Sequence, residues 1–458
     1  MTRTAEEIRH TDTGPRPVPA IGPRQPAPIV PHVDTVLPNG LRVIAARKPG
    51  AAVVQIRLAI PHTVTDRPSV AQVAMLGTCL LAGTERRDRV AVENEISHLG
   101  GQLAVSWDGI GLSASGAVSA HGFDAALDIL TDALTGATYI EDEVERARAL
   151  TMQQLQVAMQ QPAALAEQAL QDHRYGGHPA ARTLPDLPDV AAVTPEQLRD
   201  LHTTVFTPQG AYLVIVGDID PAETIQHVQQ ATTTWTSPLP AGEPTGLTHV
   251  PGCDLLGMPH PGAVQSNVRL SAPAIAPTDP RFPALYLATV IFGGGHMNSR
   301  LMSTLREEQA LTYHTRASLE NVPGREALTV AIDTAADKTA AAVQGLRDEL
   351  TRLAKELPTQ QELDLARNYT IGADQFSCSS QMGLADRLTD ALHAGLDMHW
   401  LTRFADQLAE VTLDQVTDAI RVFFAADRFT GVVVAQPEIL IEKVLPIGGV
   451  RMPEMPDA

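Results

Sequence analysis

A chain of 458 residues, 44% hydrophobic and 19% charged, carries enough apolar material for roughly two to four domains, and its composition excludes a disordered or collagen-like protein. Lys and Arg number 34 against 53 Asp and Glu, a formal charge of −19, which argues against nucleic-acid binding and weakly suits a basic peptide partner. Three scattered cysteines (Cys79, Cys253, Cys378) form neither a CxxC motif nor a disulfide framework and point to a reducing compartment. The start, Met1-Thr2-Arg3-Thr4-Ala5-Glu6-Glu7, holds no apolar secretory segment, and no window of uninterrupted apolar residues is long enough to span a bilayer. The expectation is a cytoplasmic protein without a membrane or nucleic-acid partner.

Residues 1–33 read as a disordered tail, punctuated by Pro15, Pro17, Pro19, Pro23, Pro26, Pro28 and Pro31, because extended Pro-rich chain buries no core. Asn39-Gly40 then marks a hairpin turn, and Val54, Ile56, Leu58 and Ile60 alternate with period two, which predicts a strand. Helices are predicted over 69–81 and 90–99, the second stopped by Gly100-Gly101. Two strands are expected within 102–118 around Asp108-Gly109, then helices over 122–134, 141–160 and 194–205, and a strand at 212–216.

The second half repeats the first. Thr194, Leu198, Asp200, Phe206 and Val214 map onto Thr412, Val416, Asp418, Phe424 and Val432 at an offset of 218. Glu143, Val144, Ala147 and Arg148 map onto Glu362, Leu363, Ala366 and Arg367 at 219. The implied organisation is a domain over 34–235, a Pro- and Gly-rich linker over 236–250, a second copy over 251–448 and a short tail over 449–458.

An ordered set of phrases now stands out: Leu37-Pro38-Asn39-Gly40-Leu41-Arg42-Val43, Gly83-Thr84, Tyr175-Gly176-Gly177-His178-Pro179, Val214-Ile215-Val216-Gly217-Asp218, Gly293-Gly294-Gly295, Ser299-Arg300-Leu301 and Leu305-Arg306-Glu307. In this order, and on a duplicated chain, they resemble the pitrilysin/mitochondrial-processing-peptidase family of zinc metallopeptidases, from about Asp34 to Gly448. The resemblance implies an α+β fold of two homologous α/β domains, each a mainly antiparallel sheet with helices packed on it.

The same resemblance implies a zinc site built from His-x-x-Glu-His on the first-domain helix and a Glu about 75 residues later. Two His at i and i+4 share a helix face, and the Glu between them activates water. Anchored on Gly83-Thr84, the five positions are Ala74, Met75, Leu76, Gly77 and Thr78; anchored on Glu145-Arg146-x-Arg148, the distal position is Gln154, or Gln153 with a one-residue slip. This chain is therefore expected to bind no catalytic metal. What persists is the pair that the resemblance places beside the metal in the closing half, Arg306 and Tyr313, with Arg306 near a helix C-terminus and Tyr313 on the next strand. Ala310 stands where the family usually has Gly. Gly293, Gly294 and Gly295 are read either as an edge of a peptide chamber or as a strand-to-helix turn needing positive φ. Leu103 and Ala104, by resemblance, lie on an edge strand that pairs with peptide backbones.

The expected role is the non-zinc subunit of a heterodimer. A homologous zinc-bearing chain would hold the metal, this chain would donate Arg306 and Tyr313, and a peptide would be cleaved between the two. The rival is a catalytically inactive scaffold or peptide-binding protein of the same fold. His173 with His178, and His393 with His399, lack ligand spacing, Cys79 reads as core, and Cys378 as a solvated loop or helix end.

Overall fold

Two strand-rich stretches, each with period-two apolar residues, become two six-stranded sheets. The computed structural model describes residues 22, 30–240, 245–250, 254–295 and 297–453, so most of the Pro-rich tail, the middle of the linker and Cys253 lie outside the described residues. The first half runs β1 (His32–Val36), β2 (Arg42–Arg47), β3 (Val53–Pro61), α1 (Arg67–Cys79), α2 (Arg89–His98), β4 (Gln102–Trp107), β5 (Gly111–Ser119), α3 (Phe123–Gly136), α4 (Glu141–Met159), α5 (Pro162–Arg174), α6 (Leu187–Ala192), α7 (Pro195–Val205), β6 (Tyr212–Gly217) and α8 (Pro221–Ala231). The second runs β7 (Leu255–Pro259), β8 (Gln265–Pro273), α9 (Phe282–Gly293), β9 (Thr312–Glu320), β10 (Ala327–Ala335), α10 (Thr339–Lys355), α11 (Gln360–Ser377), α12 (Gln381–His393), α13 (Met398–Glu410), α14 (Leu413–Phe423), β11 (Thr430–Ala435) and β12 (Val450–Arg451).

The duplication is visible strand by strand. The first sheet has the order β1-β2-β6-β3-β5-β4 and the second β12-β7-β11-β8-β10-β9. In both, one inner pair is parallel (β2 with β6, β7 with β11) and the following neighbours are antiparallel. Local signals repeat too: Thr194 with Gln197 and Thr412 with Gln415 form equivalent capping boxes that start α7 and α14. Only the sixth strand breaks the correspondence. β1 precedes β2 and runs antiparallel to it, whereas β12 comes from the chain's end and runs parallel to β7. Because these edge strands complete the hydrogen bonding of β2 and β7, regular structure begins before Asp34 and continues past Gly448, further out than the sequence-derived boundaries.

Each sheet buries one face in its own half. Leu58, Leu76, Leu112 and Leu130 belong to the first core, and Val268, Phe292, Leu305 and Phe424 to the second. The other face is covered by a helix from the opposite half. Leu384, Leu388 and Leu392 of α12 pack on Ile44, Val214 and Val216 of β2 and β6. Reciprocally, Ala166 and Leu170 of α5 pack on Val432 and Val434 of β11. The polar contacts follow the same symmetry. Arg57 on β3, opposite Val214, bonds Asp386 of α12 at 2.8 Å, and Arg269 on β8, opposite Val432, bonds Glu167 of α5 at 2.6 Å. Sequence periodicity does not mark α5 or α12, whose apolar stripes face strands more than 160 residues away.

The seam between the halves is built on the Tyr175-Gly176-Gly177 phrase. Arg174, 2% exposed, donates to Gln171, Ser271 and Glu320, and its guanidinium lies 4.8 Å from the centre of the Tyr175 ring. Gly176 and Gly177 turn the chain with φ of 63° and 72°. The Tyr175 hydroxyl donates to the Arg325 carbonyl at 3.0 Å, and the Arg325 guanidinium reaches the carbonyls of Ala180 at 2.6 Å and Gly109 at 3.4 Å.

His249 stacks edge-on against Tyr175 at this seam, and burial, with the Arg174 charge beside it, pushes its pKa down to about 4 from 6.5. The folded chain thus binds this proton less readily than the unfolded chain. The stability contribution is present above pH 6.5 and falls away progressively as the pH drops towards 4. We expect His249→Phe to flatten the loss of unfolding free energy over that window, as measured by denaturant titrations at stepped pH.

Candidate functional site

The helix that would carry a metal motif is α1. Asp66 caps it, with its side chain on the Ser69 N–H, and buried Val70, Val73, Met75 and Leu76 fix its inner face. Of the five motif positions, Met75, Leu76 and Gly77 are buried, and the Thr78 hydroxyl is spent on the Ala74 carbonyl at 3.0 Å. A Cβ at Gly77, where the family's water-activating Glu would stand, would lie 2.7 Å from Cδ2 of the buried Leu112. Gln154 on α4 is exposed. Amide, thioether and alkyl groups do not fit zinc, and the room a Glu side chain needs is filled by Leu112.

The second half keeps chemistry. Residues 302–308 form a π-helical turn with Arg306 near its end, and Tyr313 follows on β9. Ala310 has φ 50°, in the left-handed region that favours glycine. Ala310→Gly is accordingly expected to stabilise the chain by about 1 kcal/mol, read as a shift of the denaturation midpoint at constant m.

Tyr313 owes its position to a bulge. The β9–β10 ladder proceeds from Glu320↔Ala327 to His314↔Asp333 and resumes at Thr312↔Thr334, leaving Tyr313 without a cross-strand partner. The Thr312 hydroxyl stitches this step, accepting from the His314 N–H at 2.9 Å and donating to the Asp333 carbonyl. The ring is thereby turned outwards, 82% exposed, with the Arg306 guanidinium 4.6 Å from its centre. Arg306 also donates to the Met297 sulfur at 3.1 Å. A half-buried cation and an exposed phenol stand side by side, both able to donate hydrogen bonds.

Gly293–Gly295 close helix α9 rather than open one after a strand. Gly295 has φ 92°, as the turn reading required, while the other two serve close packing. A Cβ at Gly293 would lie 2.6 Å from Leu301 Cδ1 and 2.8 Å from the Ala317 nitrogen, and one at Gly294 would lie 2.4 Å from the Val290 Cα. Leu103 and Ala104 lie on β4, the edge strand of the first sheet, and Tyr313 on β9, the equivalent edge of the second. The two edge hairpins touch at their tips, where Arg325 reaches Gly109, and both Leu103 and Tyr313 lie at the strand ends away from that contact.

The remaining candidates are structural. Cys79 is buried, with burial pushing its thiol up to about 12. Cys378 caps the end of α11 and is half-buried. His173 bonds the Thr430 hydroxyl at 2.8 Å, and His393 packs edge-on against Tyr212. Among the described residues no three His, Cys, Asp or Glu side chains gather as a metal site, and no helix is long and apolar enough to cross a membrane. Sequence reasoning missed the bulge at Tyr313, whose one local sign is a Thr beside it able to bond backbone on both strands.

The chain is similar to known proteins over most of its length. Residues 74–186 match the family model described as insulinase (peptidase family M16), and residues 192–370 the model described as peptidase M16 inactive domain. An uncharacterized zinc protease of Mycobacterium leprae is 25% identical over 405 residues, covering 83% of this chain and 87% of that protein. A probable mitochondrial-processing peptidase subunit beta of Arabidopsis thaliana is 26% identical over 223 residues, 47% of this chain and 42% of that one. Among solved structures, a peptidase M16 inactive domain from Pseudomonas fluorescens superposes with a TM-score of 0.81 at 21% identity, covering 89% of this chain and 98% of the other. A protease from Helicobacter pylori also gives 0.81, at 16% identity over 89% and 100%.

Proposed function

Because the chain belongs to the M16 (pitrilysin) peptidase family, we propose that it is the non-zinc subunit of a two-chain zinc metallopeptidase. The observation that carries this reading is the contrast between the two halves. The ligand positions on α1 hold Ala74 and Thr78, and the room for a water-activating Glu at Gly77 is filled by Leu112, while the half-buried Arg306 lies beside the exposed Tyr313. A homologous partner chain with an intact His-x-x-Glu-His would hold the zinc, which supplies the activated water.

This chain's part is orientation and charge stabilisation. The Arg306 guanidinium, with several donors in a fixed plane, holds a backbone carbonyl of the peptide beside the bond to be cut. The Tyr313 hydroxyl donates to the oxygen that gains negative charge when the scissile carbonyl becomes tetrahedral. The β4 edge at Leu103 and Ala104 can add an extended peptide as a further strand, and the Gly293–Gly295 turn, just before the Met297 that Arg306 bonds, would border the peptide chamber. The alternative, an inactive scaffold or peptide-binding protein, shares the closed α1 site but has no use for an Arg–Tyr pair at a sheet edge.

The test is to purify the chain alone and mixed with a zinc-bearing homologue, then to assay zinc content and peptide cleavage. Activity is expected only in the mixture, with the metal in the partner. Robust zinc-dependent cleavage by the isolated chain would overturn the proposal.

A further inference from the structure

The strand that carries Tyr313 also carries positive charge with nothing to neutralise it. β9 alternates: Thr315 and Ala317 are buried against the second core, while His314 and Arg316 are exposed on the opposite face. Among the described residues the Arg316 side chain makes neither an ion pair nor a hydrogen bond, although the chain as a whole carries a charge of −19. The acids on this face are each taken by another arginine. Asp333, opposite His314, accepts from Arg269 at 2.7 Å and from Asn267 at 2.6 Å. Glu167 is bound to Arg269, and Glu320, further along β9, to Arg174. The neighbours of Arg316 are small, Ala331 directly opposite and Ser318 two residues along, so its guanidinium stands over an open shelf. β9 is the edge of its sheet, paired only with β10 among the described residues.

We propose that this face of β9, with Arg316 as its anchor and His314 beside it, binds an acidic side chain of the substrate peptide. The proposal rests on the reading of the chain as a peptidase subunit and names the peptides that subunit favours. Three residues of strand, about 10 Å, separate Arg316 from Tyr313, so the acidic residue lies about three positions from the bond held at Tyr313. Charge complementarity selects the occupant: a peptide laid along β9 meets a local cation, whatever the sign of the whole molecule. The overall acidity of the chain, which on its own pointed weakly to basic peptides, is thus reversed at the place where a peptide would lie.

The experiment uses end-blocked fluorescent peptides differing only by Asp against Asn at one position, and anisotropy binding to the full chain, alone and mixed with its zinc-bearing partner. The Asp peptide is expected to bind roughly three- to fivefold more tightly at low ionic strength, with the advantage lost in about 0.5 M salt. Arg316→Gln should abolish the preference, and Arg316→Glu should transfer it to a Lys peptide. Equal binding of the two peptides by the wild-type chain, no binding of either, or an undiminished preference in R316Q would each overturn the proposal. Blocking the peptide ends keeps a terminal carboxylate from standing in for the side chain. Cleavage is scored separately: binding preference without cleavage in the mixture counts against the peptidase-subunit reading and leaves the Arg316 site standing.

Discussion

Tyr313→Phe is expected to lower kcat of the assembled two-chain enzyme by roughly 10²–10³-fold, with KM changed far less. The substitution removes one hydroxyl and keeps the ring, so the stacking of Arg306 at 4.6 Å survives and the fold has no reason to change. The hydroxyl is exposed in the free chain and is needed only when charge develops on the substrate oxygen, which is why the loss falls on kcat. Steady-state kinetics on a complex verified intact by size-exclusion chromatography decide the matter. An unchanged kcat would remove Tyr313 from the mechanism and favour the scaffold reading.

The second large effect is on stability. Leu388→Ala is expected to cost about 2–5 kcal/mol, because Leu388 is 1% exposed on α12 and wedged against the first sheet, where the cavity cannot close. The further expectation is that both halves respond. α12 belongs in sequence to the second half but covers the sheet of the first, and α5 does the converse. Trp235 is buried in the first core and Trp400 stacks on Phe404 in the second, so single-tryptophan variants report each half. Coincident denaturation curves, both shifted by Leu388→Ala, are the predicted outcome. A curve that moves at Trp400 alone would mean that the halves unfold independently.

Much of the architecture was legible in the sequence because local signals agreed with it. The period-two run at Val54–Ile60 and the glycine stop after α2 each belong to a single element and need no distant partner to be read. The repeat offsets of 218 and 219 gave the duplication, since substitution leaves spacing intact where identity has faded. Residues absent from motif positions were equally readable: no arrangement of Ala74, Gly77 and Thr78 makes a zinc ligand set. Other features were not legible. The stripe on α12 says that one face is buried but not that it lies on the other half's sheet. Arg174 reads as a cation in a last helical turn, and only the seam formed with Ser271 and Glu320 makes it one of the most buried side chains in the molecule. The outward aim of Tyr313 depends on a register step between two strands, which belongs to a pair of segments and to neither alone.

The exchange of helices makes each half incomplete without the other. A single copy of the repeat, standing alone, would leave the outer face of its sheet bare and its own amphipathic helix with nothing to cover. The two copies therefore fold as a pair, each supplying the helix that covers its twin, which is the arrangement of a helix-swapped dimer held within one chain.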